Sequence, residues 1–156
     1  MLKKDRKSLQ LVHNLQPLNK VTIGNSMVPP IMEVFAESFA GHGCYGSLDL
    51  FVSFDQRSLD ERSRDLTTFQ TPLGAKRLTC VLMGYTNATQ IMHGDVTHIL
   101  QDEIPHVTIP FVDNVAIKGL ETQYELPDGT YEMIPENPQI WWFVWEHLNN
   151  VNRVLQ

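Results

Sequence analysis

Two acidic residues occupy positions where a carboxylate can do chemistry. Asp49 interrupts an apolar run in Leu48-Asp49-Leu50, and Asp113 lies between two segments that alternate apolar and polar residues. Taken alone, an exposed strand face explains Asp49 and ordinary turn chemistry explains Asp113. Taken together, an acid within a strand and an acid at the tip of a distant hairpin allow adjacent strands to share divalent metal. Carboxylate oxygens suit Mg²⁺, and two such ions about 3.5–4 Å apart stabilise the entering and leaving oxygens in phosphoryl transfer.

Two predicted elements would hold these acids. Residues 44–54 are rich in apolar side chains and predict a strand that runs through Asp49. Residues 107–111 and 115–117 alternate in polarity and are joined by a short Asp-Asn turn, so they predict a β-hairpin.

Helices are interleaved with these strands. Ile31, Phe35 and Phe39 recur at i, i+4 and i+8 and predict a helix that ends at Gly41. The other predicted elements are a strand at 9–13, a helix opened by a capping box at 58–61, strands at 66–69 and 77–82, a helix over 91–100 capped by Asn87, a hairpin over 124–134 and a helix over 139–155. This order predicts an α+β fold with a mixed or antiparallel sheet.

Composition excludes several classes of protein. The 156 residues are 42% hydrophobic and 19% charged, as in an ordinary globular domain. The longest apolar run spans six residues, 140–145, far below the roughly 20 that cross a bilayer. No apolar segment follows the basic N-terminus, so no secretory signal is expected. With only two cysteines, Cys44 and Cys80, a reducing environment is the default. We therefore expect an intracellular protein without membrane contact, and nothing indicates its compartment.

The charge is unevenly distributed along the chain. The net charge is −6, yet residues 3–7 hold four of the 12 basic residues. Residues 102–136 hold eight acids and one base, Lys118. A domain that grips phosphate backbone over its whole surface would not have this composition. The basic cluster is a local patch at most, and a solvated terminus explains it equally well.

Several short motifs occur in an order and spacing that are jointly specific. They are Lys3-Lys4-Asp5, Leu11-Val12, the sequence PLNKVTI at 17–23, Leu48-Asp49-Leu50, TTFQTPLG at 67–74, GYTN at 84–87 and Phe111-Val112-Asp113-Asn114. In these motifs the chain resembles the reverse transcriptase of gypsy-class long-terminal-repeat retrotransposons, particularly those of fungi. The resemblance runs over residues 3–155 and covers fingers and palm. The thumb, ribonuclease H and integrase of such a polyprotein lie outside it.

The resemblance implies a fold and a division of the chain. The fold would be a polymerase palm-like (ferredoxin-like) antiparallel sheet with helices on one face, together with partial fingers. Within one partial reverse transcriptase domain over 1–156, residues 1–43 and 55–82 would be mostly fingers-like. Residues 44–54 and 83–156 would be mostly palm-like.

The resemblance also implies catalytic and metal-binding residues. In the family, the acid of the Leu-Asp-Leu strand and two acids of the hairpin hold two Mg²⁺ ions. Asp49 and Asp113 match these positions, and Asn114 stands where the family has its second hairpin Asp. Asn keeps an oxygen but loses the negative charge, so we expect reduced affinity for metal.

Four further positions correspond to contacts with the nucleotide in the family. Lys3 matches a triphosphate-binding lysine, and Phe54 matches the aromatic that packs under the sugar and excludes a 2′-hydroxyl. Read without the family, Phe54 is simply a core aromatic. Gln10 replaces an arginine, and Gln cannot neutralise a triphosphate or fork onto its oxygens. Met83 replaces the family's Phe or Gln before Gly84.

The resemblance therefore implies an RNA-directed DNA polymerase fragment of a retrotransposon polyprotein, with an impaired active site. Its partners would be an RNA or DNA template–primer and deoxynucleoside triphosphates. The alternative is a non-catalytic remnant, or a domesticated binding module that uses the palm fold.

Overall fold

The computed structural model describes residues 12–26 and 31–156 of the chain. These residues divide between two compact units, which are described one at a time below. The first unit extends to Asn25 and resumes over Phe54–Thr89, and the second comprises Ser26–Ser53 and Gln90–Gln156.

The helices and strands have the following bounds. The helices are α1 (Gln16–Val21), α2 (Met32–Phe39), α3 (Ser53–Gln56), α4 (Glu61–Arg64), α5 (Ala88–Ile99) and α6 (Trp142–Leu155). The strands are β1 (Tyr45–Asp49), β2 (Phe69–Thr71), β3 (Gly74–Lys76), β4 (Thr108–Phe111), β5 (Asn114–Lys118), β6 (Met133–Ile134) and β7 (Asn137–Trp141).

The second unit is built on a three-stranded antiparallel sheet in the order β1-β5-β4. The register of β1 on β5 runs from Tyr45 opposite Lys118 to Asp49 opposite Asn114. Side chains alternate between the two faces of a strand, so Val115 and Ile117 point to one face together. Both are buried, and this face forms the core.

Helices α5 and α6 cover the core face of the sheet. The buried cluster comprises Val96, Leu100, Val107, Val115 and Ile117, with Val151 and Val154 of α6 packed against it. Close approach of α6 to β1 requires Gly46, because an added Cβ there would lie 3.3 Å from Nε2 of His147.

The short helix α2 contacts the opposite face of the same sheet. The ring of Phe35 lies 6.1 Å from that of Phe111, and Nζ of Lys118 lies 5.6 Å from the centre of the Phe39 ring. The expected α+β palm-like sheet is present, with the two long helices on one face. Helix α2 adds a smaller contact on the other face.

The first unit brings together two of the motifs that carry the resemblance. The side chain of Asn19 donates to the carbonyl of Gly84 at 2.9 Å and accepts from the amide of Thr86 at 3.0 Å. Nearby, Oδ1 of Asn87 accepts from the amide of Asn25 at 2.9 Å. These hydrogen bonds give the PLNKVTI and GYTN motifs a structural role.

Two boundaries near the candidate acids were predicted wrongly. Strand β1 ends at Asp49 rather than at Phe54, because the backbone turns at Val52 (φ 44°) and α3 begins at Ser53. The hairpin turns at Val112 and Asp113 rather than at Asp-Asn, since Asn114 already pairs with Phe111.

Other elements also differ from the sequence-based predictions. The helix predicted over 139–155 begins at Trp142, because residues 137–141 pair with β6 as a strand. The hairpin predicted over 124–134 does form around its turn, where the Leu126 amide donates to the Thr130 carbonyl at 2.7 Å and the Glu132 amide to the Tyr124 carbonyl at 3.0 Å, with a β-bridge between Glu125 and Tyr131. Helix α4 is capped by Asp60, whose Oδ1 accepts from the Arg62 amide at 2.9 Å.

The strands predicted at 66–69 and 77–82 are replaced by the tight hairpin β2–β3. The strand predicted at 9–13 lies mostly outside the described residues. Within the described ranges, no helix combines the length and the apolar character needed to cross a membrane.

The core of the second unit predicts how it should respond to truncation. Ile117 is fully buried, whereas Ile99 is 76% exposed on α5. We expect Ile117→Ala to lower the free energy of unfolding by about 2–5 kcal/mol. The matched Ile99→Ala should change it by about 0.5 kcal/mol or less. Urea unfolding followed by tryptophan fluorescence measures this unit alone, because all three tryptophans belong to it. Equal losses in the two variants would contradict this packing.

Candidate active site

The register of the central sheet brings Asp49 and Asn114 together. The amide of Leu50 donates to the carbonyl of Asp113 at 3.0 Å, which makes these two residues a hydrogen-bonded pair. The next pair along the ladder, Asp49 and Asn114, is therefore of the non-hydrogen-bonded type. In such pairs the Cα atoms are about 4.5 Å apart and the side chains approach closely on one face.

Asp113 completes a group of three oxygen-bearing side chains at this end of the sheet. Nδ2 of Asn114 lies 3.4 Å from Oδ1 of Asp113. Asp49 and Asn114 are exposed and Asp113 is half-buried, so water and ions can reach the group.

The turn that carries Asp113 has an uncommon backbone conformation. Val112 has φ 61°, in the region that favours glycine, although it is β-branched. A positive φ at the first of two turn residues is typical of a type II′ hairpin. His93 of α5 meets this turn, with its Nδ1 3.3 Å from the amide nitrogen of Val112.

The three side chains offer the oxygen ligands that Mg²⁺ prefers. Asp49 and Asp113 match the charge of one divalent cation, and Asn114 adds an oxygen without charge. Among the described residues, no cluster of three or more His, Cys, Asp or Glu could hold a metal ion. Two carboxylates balance the charge of one divalent ion and not of two.

The other predicted site residues do not belong to the unit that holds the acids. Phe54, half-buried in α3, and Met83, 74% exposed, belong to the first unit, whereas Asp49, Asp113 and Asn114 belong to the second. Lys3 and Gln10 lie outside the described residues. The roles assigned to these four residues remain predictions.

Among the residues that the structure describes, the cysteines and histidines do not group into a metal site. Burial raises the pKa of the Cys44 and Cys80 thiols, which opposes the thiolate needed of a nucleophile. His93 faces the hairpin while His98 is exposed on the same helix, so the two do not converge. His93 was not among the residues predicted for the site. Its spacing from Val96 and Leu100, at i+3 and i+7, was the signal that it shares their inward face.

Comparison with known proteins found two curated relatives and no matching family model. The retrovirus-related Pol polyprotein from transposon 412 of Drosophila melanogaster is 25% identical over 126 residues, covering 81% of this chain and 10% of the relative. The enzymatic polyprotein of cauliflower mosaic virus (strain D/H) is 32% identical over 88 residues, covering 56% of this chain and 13% of the relative. The chain thus spans about a tenth of these polyproteins.

Solved structures resemble almost the whole chain. The native crystal structure of prototype foamy virus protease–reverse transcriptase has a TM-score of 0.65 and 18% identity, covering 94% of this chain and 17% of that one. The foamy viral enzyme in complex with RNA/DNA hybrid has a TM-score of 0.58 and 16% identity, covering 92% and 17%. The fold is therefore that of a reverse transcriptase-like domain, α+β and palm-like, and the curated relatives are retroviral and transposon polyproteins.

Adding a negative charge at position 114 should have opposite effects on the melting temperature without and with Mg²⁺. In Asn114→Asp the new carboxylate faces Asp49 and adjoins Asp113, so like charges repel and the melting temperature in EDTA should fall. In millimolar Mg²⁺ the added anion should strengthen binding and reverse that loss. The control is Asn149→Asp, which adds the same charge at an exposed position of α6 and should show no Mg²⁺ response. Identical melting of Asn114→Asp in both buffers would mean that these residues form no metal site.

Proposed function

We propose that the chain is the fingers–palm part of a reverse transcriptase from a gypsy-class, fungal-type retrotransposon polyprotein. The observation that carries the proposal is the register that sets Asp49 opposite Asn114 and beside Asp113. Residues 44–54 and 83–156, most of which belong to the second unit, would be mostly palm, and residues 1–43 and 55–82 would be mostly fingers. The polyprotein relatives and the reverse transcriptase-like fold support this assignment.

The proposed reaction is nucleotidyl transfer. The 3′-hydroxyl of a primer would attack the α-phosphate of a deoxynucleoside triphosphate, forming a phosphodiester bond and releasing pyrophosphate. Asp49 and Asp113 would hold Mg²⁺, which when bound supplies the positive charge that offsets the phosphates. Both acids lie at the same end of the sheet, Asp49 as the last residue of β1 and Asp113 in the turn between β4 and β5.

The chain's own residues argue for weakened activity. Asn114 adds no charge, so a second cation would lack the carboxylate that the family supplies. Lys3, Phe54 and Met83 would contact the nucleotide, and Gln10 would not hold its triphosphate as an arginine does. We therefore propose low polymerase activity in this chain.

The proposed nucleic-acid partner is a template–primer. Solved relatives of the fold include foamy viral enzymes in complex with dsDNA and with RNA/DNA hybrid. The second unit has 13 acidic and two basic residues, whereas the first has ten basic and five acidic. Because phosphate backbone is bound by basic side chains, the first unit would supply most backbone contacts.

The alternative proposal is a non-catalytic remnant or a domesticated module that binds nucleic acid without copying it. The presence of Asn114 in place of an acid favours this alternative. Extension of a DNA primer on an RNA template separates the two functions, since binding alone yields no longer product.

Primer extension should be run with Mg²⁺ and with Mn²⁺ on the unmodified chain and three variants. We expect slow extension by the unmodified chain, none by Asp113→Asn, and a gain of about tenfold or more with Asn114→Asp, equivalent to about 1.4 kcal/mol of barrier. Asn149→Asp is the charge-matched control and should behave as the unmodified chain does. Equal extension by Asp113→Asn would contradict the site. Tight template–primer binding with no extension by any variant would favour the binding module.

A further inference from the structure

The turn that carries Asp113 is strained. Val112 has φ 61°, and a β-branched residue in this region costs on the order of 1–3 kcal/mol. Such a conformation persists only where the surrounding structure holds it. What holds Val112 therefore also determines where the next side chain, that of Asp113, points.

Backbone hydrogen bonds of the sheet hold the residues that flank this turn, but they do not involve the amide of Val112. Phe111 and Asn114 close the hairpin, and the carbonyl of Asp113 accepts from the amide of Leu50 at 3.0 Å. None of these ladder contacts uses the amide of Val112. That N–H points instead to Nδ1 of His93, at 3.3 Å.

Helix α5 is anchored in the core and positions His93 beside the turn. Val96 and Leu100, three and seven residues later, are buried in the core cluster with Val115 and Ile117. These residues share one face of the helix with His93, because i+3 and i+7 lie about one and two turns further on. The core thus anchors the helix to the same strand, β5, that begins directly after Asp113.

We infer that His93 is a positioning residue of the candidate metal site. Its Nδ1 accepts the Val112 N–H and thereby orients Asp113, which requires the ring proton on Nε2. His93 acts through the backbone and contacts no substrate. The effect on metal binding rests on the proposed function. The hydrogen bond by which His93 holds the turn does not, and it can be measured separately.

A matched set of variants tests this inference. Asn places its amide oxygen near the Nδ1 position of histidine, so His93→Asn keeps an acceptor, whereas His93→Leu has similar bulk and none. His98→Asn and His98→Leu repeat both changes at an exposed position of the same helix and control for helix propensity. The readouts are hydrogen exchange of the Val112 amide, relative to that of the buried Ile117, and affinity for Mn²⁺.

We expect His93→Leu to speed Val112 exchange about tenfold relative to Ile117 and to weaken Mn²⁺ binding severalfold. His93→Asn should keep the exchange ratio and the Mn²⁺ affinity close to those of the unmodified chain, and the two His98 variants should change neither quantity. General destabilisation would speed exchange of the buried Ile117 at least as much as that of Val112, so it would not raise this ratio.

Two results would overturn the inference. One is an unchanged Val112 ratio in His93→Leu, and the other is failure of His93→Asn to restore it. A raised Val112 ratio in a protein that binds no Mn²⁺ in any form, including the unmodified chain, would support the hold on the turn and refute the proposed metal site.

Discussion

The antiparallel register of β1 on β5 is the constraint on which the rest of this structure depends. Because side chains alternate along a strand, one pairing sends Val115 and Ile117 into the core and leaves Asp49 and Asn114 side by side on the other face. A slip of one residue would exchange the two faces. Burial of Val115 and Ile117 therefore also fixes Asp49 and Asn114 on the opposite face. The same register is needed to pack the core and to form the site.

Sequence patterns predicted the parts of this arrangement that depend on alternation. The strand through Asp49 and the hairpin around Asp113 were expected, and both occur. The turn was misplaced because alternation does not reveal which residue adopts a positive φ, and Val112 is a poor candidate by type. The contact from His93 joins residues 19 positions apart, and no local pattern reports it.

The start of the last helix was also predicted wrongly, because helical and strand patterns compete in the segment before it. Trp142, Trp145, Leu148 and Val151 recur at helical spacing and predicted a helix that begins at residue 139. In the structure, residues 137–141 pair with β6 and the helix begins afterwards. Tertiary pairing overrode local preference here. At the candidate site the two levels agree, because the strand and the hairpin predicted from alternation are the elements that hold Asp49 and Asp113.

An NMR contact between backbone protons would report the register of β1 on β5 directly. In non-hydrogen-bonded antiparallel pairs the two Cα atoms lie about 4.5 Å apart and their Hα protons face each other. The register in the structure predicts a strong Hα–Hα nuclear Overhauser effect between Asp49 and Asn114, and another between Ser47 and Ala116. Strong effects from Asp49 to Asp113 or to Val115 instead would mean a shifted register. The shared face for Asp49 and Asn114, and the metal site built on it, would then be wrong.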